Sequence, residues 1–148
     1  IARFQNCYGP EGTWNGGREK APAALSRKIV ESVDGTIEVW ADGSAVRSFV
    51  YIDDLVDGVR RLVDSDVREP TNIGTRQYVS VKQLVDLVAE AAEKDITPVW
   101  VPGPVGVLNR NFSYDRIESL GYRPRFDLAA GLAETYPWIA SQVAALKN

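Results

Sequence analysis

The chain has 148 residues, of which 45% are hydrophobic and 25% are charged, and this length and composition fit one domain with a hydrophobic core. Its formal net charge of −3 argues against a non-specific nucleic-acid surface, and its single cysteine excludes an internal disulfide framework and fits a reducing cytoplasm. Because the chain contains no histidine, Ser-His-Asp and Cys-His catalysis and histidine-ligated metal sites are excluded, and we predict no metal site.

The ends of the chain and its apolar runs bear on its cellular context. No apolar run reaches membrane-spanning length and no signal peptide is visible, so we expect a cytoplasmic protein without a membrane partner. The chain begins at Ile1 and contains no methionine, and we therefore expect it to be a piece of a longer protein. We find no linker, internal repeat or low-complexity segment, so residues 1–148 are predicted to form a single domain.

The first part of the chain predicts a strand, a loop and a helix. Residues 1–5 are predicted to form a buried strand, which the turn at residues 8–10 ends. A glycine-rich loop covers residues 11–20. Pro22 suits the first turn of a helix that runs to Ser32. The inward face of this helix is predicted to carry Leu25, Ile29 and Val33.

The middle of the chain predicts two strands and a second helix. Residues 36–40 alternate like a strand, and residues 41–44 suit a hairpin-like turn into a strand at residues 46–52. Asp53 or Asp54 is expected to cap the helix that follows. The apolar face of that helix is predicted to hold Leu55, Val59, Leu62 and Val63.

The rest of the chain predicts short strands that alternate with helices. Ser80, with Gln83 three residues later, has the spacing of a capping box. Pro137 removes a backbone donor from the last helix and predicts a kink or a helix start nearby. The predicted elements are strands at 70–74, 78–79 and 98–102, a loop at 103–113, and helices at 81–92, 115–120 and 128–146. The class is mixed α/β, and the sequence has neither a Gly-x-Gly-x-x-Gly loop nor a P-loop to hold a dinucleotide.

Glu19 and Lys20 end the glycine-rich loop and are candidates for chemistry. A lysine in a partly closed pocket can serve as acid or base, and Glu19 could set its proton affinity or bind sugar hydroxyls. The alternative is a solvated helix entry in which Glu19 complements the helix N-terminus. Because surface Glu–Lys pairs are common, the residues alone favour this alternative.

Five further side chains have both a functional and a structural interpretation. Arg47 and Arg110 lie at element ends, where their guanidinium forks match the oxygens of a pyrophosphate, although each alone is typical of a surface charge. Asn6 could bind a phosphate or a sugar, or its own backbone in a turn. Lys28 alone is typical of a helix surface, and Cys7 of a small buried packing residue rather than a thiol acid.

A series of short motifs covers nearly the whole chain in order. They are RFQNCYGP at residues 3–10, WADG at 40–43, RSFVYIDD at 47–54, PTNIG at 70–74 and LGYRP at 120–124. Together they resemble the extended short-chain dehydrogenase/reductase family of nucleotide-sugar epimerases and dehydratases. The resemblance implies the C-terminal, substrate-binding portion of a Rossmann-type fold, whose upstream NAD-binding part is missing from this chain.

Three more strings narrow the resemblance to one branch of that family. They are GGREKAP at residues 16–22, which is the most specific, SDVREP at 65–70 and PGPVGV at 102–107. The branch acts on a GDP-mannose type of nucleotide sugar: NAD oxidises C4, acid/base groups exchange the protons at C3 and C5, and C4 is reduced again. The roles implied are Lys20 as the acid/base lysine, Asn6, Glu19 and Lys28 as substrate contacts, and Arg47 and Arg110 as contacts of the phosphate side.

Two other interpretations stay open. The first is a related nucleotide-sugar 4-epimerase or 4,6-dehydratase, against which the GGREKAP string argues. The second is a piece that only binds nucleotide sugar, because the family's Tyr-x-x-x-Lys pair, NAD-binding glycine loop and catalytic cysteine are absent; Cys7 does not stand at that cysteine's position. NAD is expected to bind the missing upstream part, the longer protein is expected to be a homodimer, and the isolated chain is expected to be inactive.

Overall fold

The computed structural model describes residues 1–103 and 107–147, which form seven strands and five helices. Residues 104–106, in the middle of the PGPVGV string, lie outside the described residues. The strands are β1 Ala2–Phe4, β2 Asn6–Tyr8, β3 Thr36–Trp40, β4 Val46–Tyr51, β5 Thr71–Ile73, β6 Tyr78–Ser80 and β7 Thr97–Val101. The helices are α1 Ala21–Glu31, α2 Ile52–Val63, α3 Val81–Ala91, α4 Asp115–Ser119 and α5 Leu128–Leu146. The predicted mixed α/β class is confirmed.

Strand β4 lies at the centre of the largest described sheet. It pairs in parallel with β2, where Asn6 is opposite Phe49, and antiparallel with β6, where Val46 is opposite Ser80. The pairs β1–β5 and β3–β7 are also parallel. Parallel neighbours need crossover connections, and the helices between them in the sequence provide these connections.

Consecutive residues of β4 face two different hydrophobic cores. Phe49 and Tyr51 lie in one core with Tyr8, whereas Val50 lies in the other, because side chains alternate across a strand. Helices α1, α3 and α5 contribute to the first core, and α2 and α4 to the second. The sheet is therefore covered on both faces, and the loops at the ends of its strands are left to form a site.

Several local predictions are wrong, and one of them is Val63, which was predicted for the apolar face of α2 but is 75% exposed at the last position of that helix. Strand β1 is exposed rather than buried, with Phe4 58% exposed, since its described pairing is with β5 alone. Helix α1 ends at Glu31, so Val33 lies beyond the helix and is fully exposed. Residues 41–44 do not join a hairpin, because β3 pairs with β7 while β4 pairs with β2 and β6.

The two predicted helix caps have opposite outcomes. Neither Asp53 nor Asp54 caps α2, because the helix begins at Ile52 and both carboxylates already lie within its first turn. The capping box at α3 is confirmed: the Gln83 backbone N–H donates to Ser80 Oγ at 3.1 Å, and the Ser80 backbone N–H donates to Gln83 Oε1 at 2.8 Å.

Helix α5 has the predicted bounds and continues through Pro137. Its buried face includes Leu132, Ile139 and Val143. In the part of the chain that the structure describes, no helix combines the length and the hydrophobicity needed to cross a membrane.

Candidate functional site

Strand β2 contributes side chains to two separate cavities. Asn6 at its start lines the first, and Cys7 and Tyr8 at its end line the second. We call the first the Arg47 cavity; its wall includes Asn6, Arg47, Ser48, Arg110 and Phe112. We call the second the Lys20 cavity; its wall includes Cys7, Tyr8, Thr13, Arg18, Lys20 and Ile52.

The Arg47 cavity, of about 280 Å³, brings two guanidinium groups together. Arg47 Nη1 donates to the carbonyl oxygens of Val46 at 2.8 Å and Leu108 at 3.2 Å, which holds this side chain against the wall. Arg110 reaches the same cavity from an exposed loop. The Asn6 side-chain amide donates to the Ser48 carbonyl at 3.2 Å, which leaves its own carbonyl oxygen to accept from a ligand. Two positive groups in one small cavity are suited to an anion.

The Lys20 cavity has a volume of about 400 Å³ and is formed largely by the loop after β2. Lys20 directly precedes α1 with extended backbone angles (φ −76°, ψ 158°), and its carbonyl accepts from the Ala24 N–H at 3.0 Å. Gly16 and Gly17 have φ values of 92° and 81°, which other residues rarely adopt. The glycine pair therefore permits the turn that delivers the exposed lysine to the cavity wall.

The other titratable groups of the Lys20 cavity differ in character. Burial raises the pKa of the Cys7 thiol. Burial, and then the nearby Tyr51, raises the pKa of Tyr8, whose hydroxyl donates to the Leu128 carbonyl at 3.4 Å. The thiol and the phenol are therefore protonated at neutral pH and do not act as bases there. Arg18 and Lys20 bring basic side chains to the same wall.

Two predicted site residues point elsewhere. The Glu19 carboxylate is directed into the protein, with a side chain only 6% exposed, and Oε1 lies 3.0 Å from Arg27 Nη2. Lys28 Nζ donates to the Glu38 carbonyl of β3 at 2.7 Å. Neither residue lines the Arg47 cavity or the Lys20 cavity.

The structure thus gathers Asn6, Arg47 and Arg110 in one cavity and places Lys20 in the adjacent one. The functional roles of these four residues remain predictions. The same holds for the roles of Glu19 and Lys28. Sequence reasoning missed Arg18 beside Lys20, although it lies inside the GGREKAP string. It also missed Arg27, for which no local pattern gives a signal, because its partner Glu19 lies outside the helix.

Comparison with known proteins gives matches along most of the chain. The family described as "NAD dependent epimerase/dehydratase family" matches residues 1–74, which is half of the 148 residues. A GDP-mannose 3,5-epimerase from Arabidopsis thaliana is 49% identical over 144 residues, which cover 97% of this chain and 38% of that protein. A probable GDP-L-fucose synthase from Oryza sativa subsp. japonica is 32% identical over 148 residues, which cover 97% of this chain and 45% of that protein.

The fold is also similar to that of solved structures. A UDP-glucose 4-epimerase from Thermotoga maritima, crystallised with UDP-glucose, matches with a TM-score of 0.86 and 28% identity over 96% of this chain and 46% of that chain. The chain therefore spans between 38% and 46% of the length of these three relatives.

Proposed function

Because the chain belongs to the NAD-dependent epimerase/dehydratase family, we propose that it forms the nucleotide-sugar-binding part of an epimerase of the GDP-mannose 3,5-epimerase kind. One observation carries the proposal: β2 borders both a cavity with two arginines and a cavity with Lys20. Strand residues rise by about 3.3 Å each, so the two cavities lie within reach of one extended ligand. A diphosphate in the Arg47 cavity would leave the sugar near Lys20.

Each side chain then has a separate task. Arg47 and Arg110 bind the diphosphate through charge-assisted hydrogen bonds. The side-chain carbonyl oxygen of Asn6 accepts a hydrogen bond from a hydroxyl group of the ligand. The exposed amine of Lys20 transfers a proton on one face of a sugar carbon whose neighbour is a ketone, and inversion of that carbon requires a second acid/base group on the opposite face, which we expect from the upstream part of the protein. Relatives at up to 49% identity support the GDP-mannose assignment.

NAD, when bound, would supply the oxidation and re-reduction at C4. The described residues do not fit it: the glycine-rich loop between β2 and α1 lacks the Gly-x-Gly-x-x-Gly spacing that holds a dinucleotide, and residues 1–103 and 107–147 contain this spacing nowhere else. We therefore assign no step of the hydride transfer to this chain. Its proposed contribution is ligand binding and proton transfer.

A second candidate is a nucleotide-sugar 4-epimerase. The observation in its favour is the TM-score of 0.86 with the Thermotoga maritima enzyme that was crystallised with UDP-glucose. The two candidates differ in the nucleotide that they bind and in the sugar carbon that they invert. A third possibility, binding without turnover, differs from both because it changes no carbon of the sugar.

The first test is a calorimetric titration of the 148-residue chain with GDP-mannose and with UDP-glucose. We expect GDP-mannose to bind at least about tenfold more tightly, a difference of about 1.4 kcal/mol. Tighter binding of UDP-glucose would favour the 4-epimerase, and binding of neither sugar nucleotide would contradict the proposal.

Proton exchange needs a second test, with a chimera in which this chain replaces the matching part of the Arabidopsis thaliana enzyme. In D₂O with GDP-mannose and NAD, we expect deuterium at C3 and C5 of the sugar. Lys20→Met should abolish this exchange, whereas Lys82→Met, which removes an exposed lysine from α3, should not. A chimera that binds GDP-mannose but exchanges neither proton would leave only the binding role.

A further inference from the structure

The segment that carries Lys20 is attached to the fold mainly through Glu19. Of residues 15–20, Glu19 is the only one that is not exposed. The segment includes Gly16 and Gly17, which provide no side chain to pack, and Lys20 makes no side-chain hydrogen bond to a described residue. On its C-terminal side, Lys20 is held by the hydrogen bond from the Ala24 N–H to its carbonyl, and on its N-terminal side its position depends on how firmly Glu19 is held.

Arg27 holds Glu19 from the middle of α1. Arg27 Nη2 lies 3.0 Å from Glu19 Oε1, and the two side chains are 20% and 6% exposed. The guanidinium is fixed from its other side as well, because Nη1 lies 2.9 Å from Oε2 of Glu31, which is 44% exposed. Arg27 thus joins a buried carboxylate of the loop to an exposed carboxylate of the helix.

The ionised state of Glu19 suits this attachment. Burial tends to raise the pKa of Glu19, but the backbone N–H groups of Glu19 and Gly17 together with Arg27 outweigh it and lower the pKa below the ordinary value. The carboxylate is therefore ionised at neutral pH, and the contact with Arg27 is an ion pair there.

Two buried atoms of the Glu19–Arg27 ion pair make no hydrogen bond with both a suitable distance and a suitable angle to any described residue. They are Glu19 Oε2 and Arg27 Nε. Both atoms are buried, and Glu19 lines neither cavity. The Glu19–Arg27 pair is therefore shielded from a ligand and can affect Lys20 only through the segment that joins them.

We propose that Arg27 is a positioning residue of this site: it binds the buried carboxylate of Glu19 and thereby fixes the segment that ends at Lys20. The identity of the ligand rests on the proposed function, whereas the positioning does not. Arg27 itself need not touch the ligand.

The positioning is tested on the ligand-free chain with Arg27→Gln, Arg27→Lys and, as a matched control, Glu31→Gln, which removes only the exposed partner of Arg27. We expect Arg27→Gln to speed hydrogen exchange of the amides at residues 16–20 by at least tenfold and to change the rate of Lys20 acylation across a pH series. The amides of Leu25 and Ile29 in α1 should change less than twofold. Glu31→Gln should resemble the wild type, and Arg27→Lys should recover part of the protection.

Two results would overturn the positioning role. One is unchanged exchange at residues 16–20 in Arg27→Gln. The other is an equal rise throughout α1, which would mean that Arg27 only stabilises the fold. If Arg27→Gln does not fold, Arg27→Lys provides the test. A hydrogen-exchange profile of Arg27→Lys identical to that of Glu31→Gln would contradict the proposal.

Ligand binding gives a second readout of the positioning. Arg27→Gln should weaken GDP-mannose binding at least fivefold through the displaced Lys20 and leave GDP binding unchanged, because the Arg47 cavity does not include Arg27. Equal weakening of both ligands would contradict a role confined to the Lys20 cavity. Absence of binding by the wild-type chain would contradict the proposed function and leave the exchange result standing.

Discussion

The buried carboxylate of Asp54 accepts a hydrogen bond from the backbone N–H of Phe126 at 3.0 Å. Its other oxygen accepts from the N–H of Arg125 at 2.9 Å. Asp54 lies in the first turn of α2 and is only 1% exposed, whereas Phe126 lies just before α5 and packs against the first core. One side chain therefore joins the two helical layers on either side of the central sheet.

We expect Asp54→Asn to lower the free energy of unfolding by about 2 kcal/mol, because hydrogen bonds to a charged group contribute about 1.5–3 kcal/mol and an amide can accept only with one of its two ends. Urea denaturation measures the change. Asp53→Asn is the matched control: its carboxylate is exposed on the same helical turn, and we expect a change below about 0.5 kcal/mol. Equal losses in the two variants would show that the two backbone contacts contribute little.

Gly131 of α5 lies directly against the ring of Tyr8. A Cβ added there would lie 2.8 Å from Tyr8 Cζ and 2.9 Å from Tyr51 Cδ2, and it would clash with the Tyr8 hydroxyl. We expect Gly131→Ala to destabilise the chain by about 1–3 kcal/mol through overpacking, although alanine is the better helix former.

A double-mutant cycle with Tyr8→Phe separates the clash from other effects. Removal of the hydroxyl should recover part of the loss, because the two residues share one contact. Strictly additive effects would mean that the hydroxyl is not the group that the new methyl meets.

Arg76 provides a test in acid. It pairs with Glu118 at 2.8 Å and with Asp115 at 2.5 Å, and its hydrogen bonds lower the pKa of both carboxyl groups below their ordinary values of 4.5 and 3.8. A lowered folded-state pKa gives stability that is present above the unfolded pKa and is lost as the pH falls through the folded one. We therefore expect Arg76→Gln to raise both pKa values and to reduce the loss of stability in acid.

Carbon-detected NMR titration of the two carboxyl groups measures these pKa values directly. Arg68→Gln removes another exposed arginine and serves as the control for the change in net charge. Shifts of equal size in the two variants would indicate a general charge effect rather than the Arg76 contacts.

The sequence predicted those features that depend on residues close together in the chain. The capping box of Ser80 and Gln83 and the bounds of α5 are of this kind, because caps and helical periodicity are local. The failed hairpin is different, since β3 finds its partner in β7, more than fifty residues later. Asp54 has the residue type of a cap, but its partners lie about seventy residues away.

The same distinction applies to the candidate site. The sequence identified Arg47 and Arg110 as candidates for the phosphate side. Only the fold shows that they share a cavity, because a pairing of β4 with β2 and the return of the loop at Leu108 are needed to bring them together. The burial of Glu19 against Arg27 could not be predicted, because an eight-residue separation across a helix start matches no helical spacing.

The separation of the two cavities predicts a division between nucleotide binding and sugar chemistry. Arg47→Ala should weaken GDP and GDP-mannose binding to the chain alike, by about tenfold or more, because it removes charge-assisted hydrogen bonds to the diphosphate. Lys20→Met should leave GDP affinity within about twofold, because Lys20 lines the other cavity. Titration calorimetry at two salt concentrations measures both affinities. Only the Arg47 variant should show a weaker salt dependence, and part of it should remain because Arg110 stays in the cavity. If Lys20→Met weakened GDP binding as much as Arg47→Ala does, the two cavities would form one undivided phosphate site and the proposed placement of the sugar would be wrong.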